Sequence, residues 1–300
     1  MDGAGRFAPS PSGDLHLGNL RTALIAWLFA RATDRRFLLR VEDLDRVREG
    51  SRQRQLDDLA ALGLDWDGEV LDQSARLEHY EKAITQLRDA GRTYECFCTR
   101  KEILGAPSAP HAPDGAYPGT CRNLTPQQRR EKAASRPAAL RLRSDTSSYT
   151  ITDLLHGTYT GTVDDFVLRR GDGTPAYNLA VVVDDGAQGI DQVVRGDDLL
   201  SSTPRQAYLA ELLGLPIPHY AHVPLALNSE GKRLAKRDGA VTLADQQALG
   251  RTPTQVLGVL AESLRMSRPG EIVSPRLLLE RFDPAALPRE PWIFDDAAAR

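Results

Sequence analysis

The feature that most constrains this chain is its opening stretch, Arg6-Phe7-Ala8-Pro9-Ser10-Pro11-Ser12-Gly13-Asp14-Leu15-His16-Leu17-Gly18-Asn19. A short strand enters a loop of proline, serine and glycine, and the loop delivers His16 and Asn19 to the first turn of a helix. The helix is predicted over 18–33, a stretch rich in alanine and leucine with no internal breaker. Residues 37–43, Phe-Leu-Leu-Arg-Val-Glu-Asp, are a short apolar run ending in acids and read as a buried strand. Helical patterns over 51–62 and 75–90 continue the alternation. Strand, helix, strand, helix is the cadence of a parallel α/β sheet.

Composition then changes. Residues 96–138 hold all three cysteines and the proline- and alanine-rich run 105–115, with little periodicity. Such a segment builds no apolar core unaided and reads as an insertion that needs a staple. Strands are predicted again at 165–170 and 179–185, the latter a buried central strand ending in Asp184 and Asp185. A helix is expected over 203–213, opened by Thr203-Pro204. A short strand is expected over 223–227, and beyond Thr242 the chain reads as helical, punctuated by Pro253 and Ser274-Pro275.

Charge and length exclude several classes. Lys plus Arg number 38 against 41 Asp plus Glu, a net charge of −3, whereas a non-specific nucleic-acid binder would be basic overall. A local basic face remains compatible with that balance. No apolar run reaches the length of about 18 residues that a membrane helix needs, and Met1 to Arg6 lack the layout of a secretory signal. A cytoplasmic location is the expectation. Three clustered cysteines, Cys96, Cys98 and Cys121, make no disulfide framework and suggest a metal.

Three constellations could carry chemistry. At the first, a helix N-terminus offers unpaired amide donors and partial positive charge, which suit phosphate oxygens, and glycines at 13 and 18 permit close approach. Taken alone, His16 reads as an ordinary helix cap after a proline-rich turn. The second is Gly231-Lys232-Arg233-Leu234-Ala235-Lys236-Arg237-Asp238-Gly239, with cations at 232, 233, 236 and 237 between glycines. It suits a clamp on a leaving pyrophosphate, or else a solvated basic loop. The third is Cys96-x-Cys98 with Cys121 and the nearby Tyr117. Thiolates suit zinc, but three leave one vacancy in a four-coordinate site. His111, a water, or no metal at all are the plain alternatives.

Together, the first two motifs resemble those of class I aminoacyl-tRNA synthetases, whose ATP signatures are written HIGH and KMSKS. His16-Leu17-Gly18-Asn19 and Arg233-Leu234-Ala235-Lys236-Arg237 stand in for them, with Ala235 in place of the usual small hydroxyl residue. Arg6-Phe7-Ala8-Pro9-Ser10-Pro11 and Val194-Arg195-Gly196-Asp197-Asp198-Leu199-Leu200 resemble the glutamyl branch, and the likeness runs over nearly the whole chain. It implies a Rossmann-like parallel sheet domain split as 1–95 and 139–215, a zinc-binding insertion at 96–138, and a basic loop with a mainly helical region at 216–300.

The resemblance also implies roles. Arg6, Phe7, Ala8, Pro9, Ser10, Glu42, Tyr177 and Arg195 would contact L-glutamate, with arginine forks for its acids and a carboxylate for its amine. His16, Gly18, Asn19 and Lys236 would serve ATP, with Mg²⁺ expected on the phosphates. Taken singly, Arg195 reads as a surface charge and Glu42 as part of a solvated acidic turn. A short branch of the family carries Cys-x-Cys…Tyr-x-x-x-Cys zinc sites, which puts a structural Zn²⁺ on Cys96, Cys98, Tyr117 and Cys121.

Only residues 238–300 follow the basic loop, too few for anticodon-reading helical domains, and Pro288-Arg289-Glu290-Pro291-Trp292 reads as a natural terminus. The expectation is therefore the short branch, which esterifies glutamate onto queuosine in the anticodon loop of tRNA-Asp. A truncated synthetase charging tRNA-Glu and a non-catalytic RNA-binding paralogue are the alternatives.

Overall fold

The computed structural model describes residues 3–104, 117–234 and 239–294. Its first run comprises β1 (Ala4–Phe7), α1 (Leu17–Arg31), β2 (Arg36–Val41), α2 (Ser51–Ala61), β3 (Leu71–Asp72) and α3 (Leu77–Asp89). Strand β4 (Thr93–Cys96) leads to the short helices α4 (Arg100–Leu104) and α5 (Pro126–Ala133). There follow β5 (Ala139–Leu142), β6 (Ser148–Asp153), β7 (Gly157–Thr162), β8 (Val167–Arg169), α6 (Tyr177–Gln188), β9 (Ile190–Gly196), α7 (Thr203–Leu213) and β10 (His219–Val223). The remainder is β11 (Ala226–Leu227), α8 (Leu243–Ala248), α9 (Pro253–Ser263), α10 (Pro275–Arg281) and β12 (Trp292–Ile293).

The main sheet has the strand order β3-β2-β1-β9-β10-β6-β7, and its neighbours run parallel except the hairpin β6–β7. It is the α/β, Rossmann-like arrangement that the alternation at the N-terminus predicts. Strands β4, β5 and β8 form a separate antiparallel sheet. The predicted strand at 165–170 thus exists, shortened, outside the parallel sheet. The single strand expected over 223–227 is broken at Pro224, which has no N–H for a ladder, into β10 and β11.

Period-two alternation sorts the sheet into unlike faces. Phe37, Leu39, Val194, Ala221 and Val223 face α1, which is buried along nearly its whole length, and the C-terminal helices α9 and α10 join the same core. On the opposite face lie Arg6, Arg40, Arg195 and His222, all nearly inaccessible to solvent. Arg6 pairs in register with Leu38, and Arg195 with His222. Charged side chains on a buried face must find partners.

Arg6 and Arg40 find theirs on α6, and here one expectation is overturned. Residues 179–185 form the middle of a helix, not a strand. A short apolar run bounded by turns does not distinguish a buried strand from a buried helix, and three consecutive valines favour the strand reading. Tertiary demands decide. On a strand, Asp184 and Asp185 would point to opposite faces; on a helix they sit about 100° apart and both reach the sheet. Asp185 meets Arg6 and Arg40, while Asp184 meets Arg76, Gln73 and the Tyr80 hydroxyl. Gly189, left-handed at φ 67°, ends the helix.

No helix among the described residues is long and apolar enough to cross a membrane. Asp184 is fully buried with its charge spread over Arg76 at 2.6 Å and Arg40 at 4.0 Å. Replacing it with Asn leaves two buried guanidiniums under-compensated and is expected to cost about 3 kcal/mol in urea unfolding. The exposed pair Arg276–Glu280, 3.5 Å apart, is the contrast: Arg276→Ala should leave the unfolding midpoint unchanged.

Candidate active site

A cavity of about 620 Å³ opens at the carboxyl ends of β1, β2 and β9, where the strand order reverses on either side of β1. Ligands of open parallel sheets settle in such crevices. Arg6, Phe7, Ala8, Pro9, Ser10, His16, Gly18, Asn19, Glu42, Tyr177 and Arg195 all line it. Of the residues predicted to contact glutamate or ATP, Lys236 alone lies outside the described residues. Arg233, Val241 and Thr242, which flank that stretch, also line the cavity.

The loop after β1 is pinned in place. Gln55 of α2 donates to the carbonyls of Ser10 and Gly13 at 3.1 and 2.6 Å, and the Glu42 amide donates to Pro9 O at 3.0 Å. At this end of the cavity the arginines differ sharply in their partners. Arg6 Nε lies 3.2 Å from Asp185 Oδ1, which also accepts from Arg40 Nη1 at 2.8 Å. The Asp185 carboxyl is buried, yet Arg6 and Arg40 hold it below the usual carboxylate range. Arg195 instead donates to His222 Nε2 at 3.0 Å and to Thr203 Oγ1 at 2.8 Å, both uncharged acceptors. Glu42 lies 3.5 Å from Arg40, and burial raises its carboxyl above the ordinary range although Arg40 and Arg6 pull the other way.

At the other end His16 caps α1. Its Nδ1 accepts from the Asn19 amide at 3.2 Å, and Asn19 Oδ1 accepts from the His16 amide at 3.2 Å, a reciprocal capping box. With Nδ1 committed as acceptor, the neutral ring carries its proton on Nε2, a free donor beside the helix N-terminus. Burial, helped by the Arg233 charge, pushes the His16 pKa down to about 4. Gly18 has a packing reason: a Cβ there would stand 2.9 Å from Ala226 Cβ. The Leu17 amide donates to Val241 O at 2.7 Å, and His16 bridges Thr242. The basic segment is thereby stitched to the cap, and its Arg233 is ion-paired with Asp198.

The cysteines converge away from the cavity. Cys96, Cys98 and Cys121 place their Sγ atoms within 4.8 Å of one another, a set that could hold a metal ion. Cys98 and Cys121 are 3.5 Å apart, and the Tyr117 hydroxyl lies 3.3 Å from Cys96 and 3.8 Å from Cys98. Tetrahedral zinc with Zn–S bonds of about 2.3 Å demands ligand–ligand edges of about 3.8 Å, so the four donors fit it. Burial and its sulfur neighbours push the Cys98 thiol up to about 12. The Arg141 guanidinium stacks 3.6 Å over the Tyr117 ring, a cation placed to favour an anionic ligand set. His111, the alternative ligand, lies outside the described residues.

The model of the family described as tRNA synthetases class I (E and Q), catalytic domain, matches residues 4–298. The chain belongs to this family. A curated member, the glutamyl-Q tRNA(Asp) synthetase of Nocardia farcinica, is 71% identical over 298 residues, covering 99% of this chain and 94% of that protein. The protein of the same name from Cutibacterium acnes is 52% identical over 95% of this chain and 85% of its own length. A glutamate–tRNA ligase from Pelobacter propionicus is 39% identical over 97% of this chain but only 63% of its own. Among solved structures, a glutamate tRNA ligase from Elizabethkingia meningosepticum in complex with its amino acid superposes with a TM-score of 0.84 at 27% identity, covering 100% of this chain and 68% of that one. Membership makes the chain a ligase of the synthetase type.

Sequence reading missed the supports of this synthetase site: Arg40, Asp184, Asp185, Asp153, Thr203 and His222. A signal existed. Arg6, Arg40 and Arg195 each interrupt an apolar strand, and a charge inside a buried strand calls for a counter-charge elsewhere. For His16, the ring should remain neutral in the ligand-free protein down to about pH 4. Unfolded histidine takes its proton near 6.5, so His16 lowers stability progressively as pH falls from 6.5 toward 4 and contributes nothing above that window. A ring ¹⁵N titration with a midpoint near 6.5 would contradict the buried cap.

Proposed function

We propose that the chain activates L-glutamate with ATP to glutamyl-AMP and transfers the glutamyl group to queuosine in tRNA-Asp. The carrying observation is one cavity with an arginine whose charge is not cancelled by a carboxylate, Arg195, at one end and a neutral histidine cap at the other. The names of the 71% and 52% identical relatives support the same reading.

In this reading Arg195 and Arg6 hold the substrate carboxylates, Glu42 receives the ammonium, and Ser10 and Tyr177 complete the wall. The α-carboxylate oxygen forms a bond to the α-phosphorus, and the bond from that phosphorus to pyrophosphate breaks. His16 Nε2–H and the amides at the start of α1 stabilise the charge on the phosphates, with Lys236 on the leaving pyrophosphate. Mg²⁺ carried by the ATP phosphates would supply further neutralisation. A cyclopentenediol hydroxyl of queuosine then attacks the adenylate carbonyl, losing its proton as AMP leaves.

We assign a structural Zn²⁺ to Cys96, Cys98, Tyr117 and Cys121, where it staples the 96–138 insertion between catalytic halves 1–95 and 139–215, with 216–300 carrying the basic loop and the helical region. The cytoplasm, where ATP, tRNA and reduced thiols coexist, is the compartment this implies.

Glutamate-dependent pyrophosphate–ATP exchange without tRNA is the expected outcome, and its absence in folded protein would favour a non-catalytic paralogue. Lys236→Ala should slow exchange by roughly 100-fold or more. Queuosine-containing tRNA-Asp should accept glutamate while unmodified tRNA-Asp and tRNA-Glu do not; acceptance by tRNA-Glu would point to a truncated glutamyl-tRNA synthetase instead. Elemental analysis should find about one zinc per chain, and Cys121→Ser should lose it together with several degrees of melting temperature.

A further inference from the structure

Enclosed arginines in this fold take two kinds of partner: Arg21 bonds Ser263 Oγ and Pro224 O and Arg141 bonds Asp165 O, whereas others meet acids. Arg6 meets Asp185, Arg76 meets Asp184, and Arg205 meets Asp164. Arg195, 5% exposed, has no carboxylate within ion-pair distance among the described residues, and its flat face lies over Tyr220 at 5.8 Å. Its two directed hydrogen bonds go to His222 Nε2 and Thr203 Oγ1.

A guanidinium has only donors, so His222 must offer it a lone pair. The reason it can is Asp153. That carboxylate is 1% exposed and accepts from the amides of Leu155, His156 and His222 and lies 2.6 Å from His222 Nδ1. Burial opposes its charge, but these bonds keep it below the usual carboxylate range. An ionised Asp153 makes Nδ1 the protonated nitrogen, which leaves Nε2 as the acceptor. Burial keeps the fully enclosed imidazole neutral against the pull of Asp153. Thr203 Oγ1 accepts from Arg195 and can donate to Leu199 O, 3.2 Å away, while it also lies 3.0 Å from His222 Nε2.

We propose that Asp153 and His222 are positioning residues for the amino-acid substrate: Asp153 fixes the His222 tautomer, whose Nε2 lone pair aims the Arg195 guanidinium without neutralising it. Hydrogen bonds to neutral acceptors orient the fork, and the full positive charge stays available for a substrate carboxylate. The antiparallel hairpin β6–β7 gains a purpose, since β6 ends on Asp153 beside Tyr220 of β10. This inference rests on the assignment of Arg195 to glutamate.

The test is pyrophosphate–ATP exchange with variants of the full chain. In Asp153→Asn, the new amide nitrogen donates to Nδ1 and forces the ring proton onto Nε2, where it opposes the Arg195 N–H. The KM for glutamate should rise about tenfold or more while the KM for ATP changes little. The melting temperature falls too, since the His222 amide loses its acceptor, so the KM split and its rescue carry the test. Adding His222→Gln supplies an amide oxygen in place of the lost lone pair, so the double variant should recover at least about threefold of that KM. Equal loss for glutamate and ATP, or no recovery, would mean a merely structural role and overturn the proposal. Ring ¹⁵N shifts of the unaltered protein give a check independent of any variant: Nε2 must be the unprotonated nitrogen, and a proton found there overturns the relay. Arg195→Ala separates the two claims. If it leaves the glutamate KM unchanged, the assignment of Arg195 falls and the proposal with it. If it raises the KM while Asp153→Asn does not, only the relay falls.

Discussion

The contact on which the site depends is Asp185 Oδ1 held between two guanidiniums, Arg6 at 3.2 Å and Arg40 at 2.8 Å. It fastens α6 to the sheet through charge on a face where apolar packing would ordinarily do that work. Buried ion pairs gain little over hydrophobic replacements, but breaking one is costly. Such a layer therefore fixes geometry more than it adds stability. Strands β1 and β2 and helix α6 cannot slide past one another without stranding a charge. The wall of the cavity is built on these three elements, so its rigidity follows.

The nucleotide end is held by different means. There the chain relies on backbone: an amide donates to His16 Nδ1, a side-chain amide oxygen accepts from the His16 N–H, and Leu17 donates to Val241. Neutral groups suffice because the ligand expected there brings its own charge. A cap protonated near neutrality would lose its Nδ1 acceptor and open the first turn of α1. Keeping the ring neutral thus protects the helix terminus and the Nε2 donor together. The stitch to Val241 and Thr242 ties the same turn to the segment that follows the basic loop, so that loop and cap share one anchor.

Much of this was legible in the sequence, and the reason is locality. Helices α1, α2 and α7 announce themselves through composition, caps and breakers within a dozen residues, and the motif residues lie on those elements or their loops. Helix α6 was not legible as a helix, since what selects it is the need to aim two adjacent acids at partners 104 to 179 residues away in sequence. Asp153 and His222 escaped for the same cause; 69 residues separate them, and neither sits in a motif. The hairpin β6–β7 alternates threonine and tyrosine with few apolar positions, so its period-two signal is weak. The convergence of Tyr117 with the three thiols needed only a family pattern, because the donors lie within one short insertion.

The direct ion contacts show why an acidic amino acid suits the site. Arg6, Arg40 and Arg76 are balanced by Glu42, Asp184 and Asp185 through contacts from 2.6 to 4.0 Å. Arg195 differs: its hydrogen bonds end on neutral atoms, and the ionised Asp153 stands behind His222, out of direct contact. A ligand carboxylate would be the first anion to touch Arg195, and a charge-assisted bidentate contact is the strong kind. Glutamate brings two carboxylates and one ammonium. Glutamine brings only one carboxylate and would leave one guanidinium without an anionic partner. Discrimination then comes from the penalty on the wrong ligand as much as from attraction to the right one. Cancelling Arg195 internally, as Asp185 does for Arg6, would abolish that penalty. Neutral partners for Arg195 are what such selectivity requires.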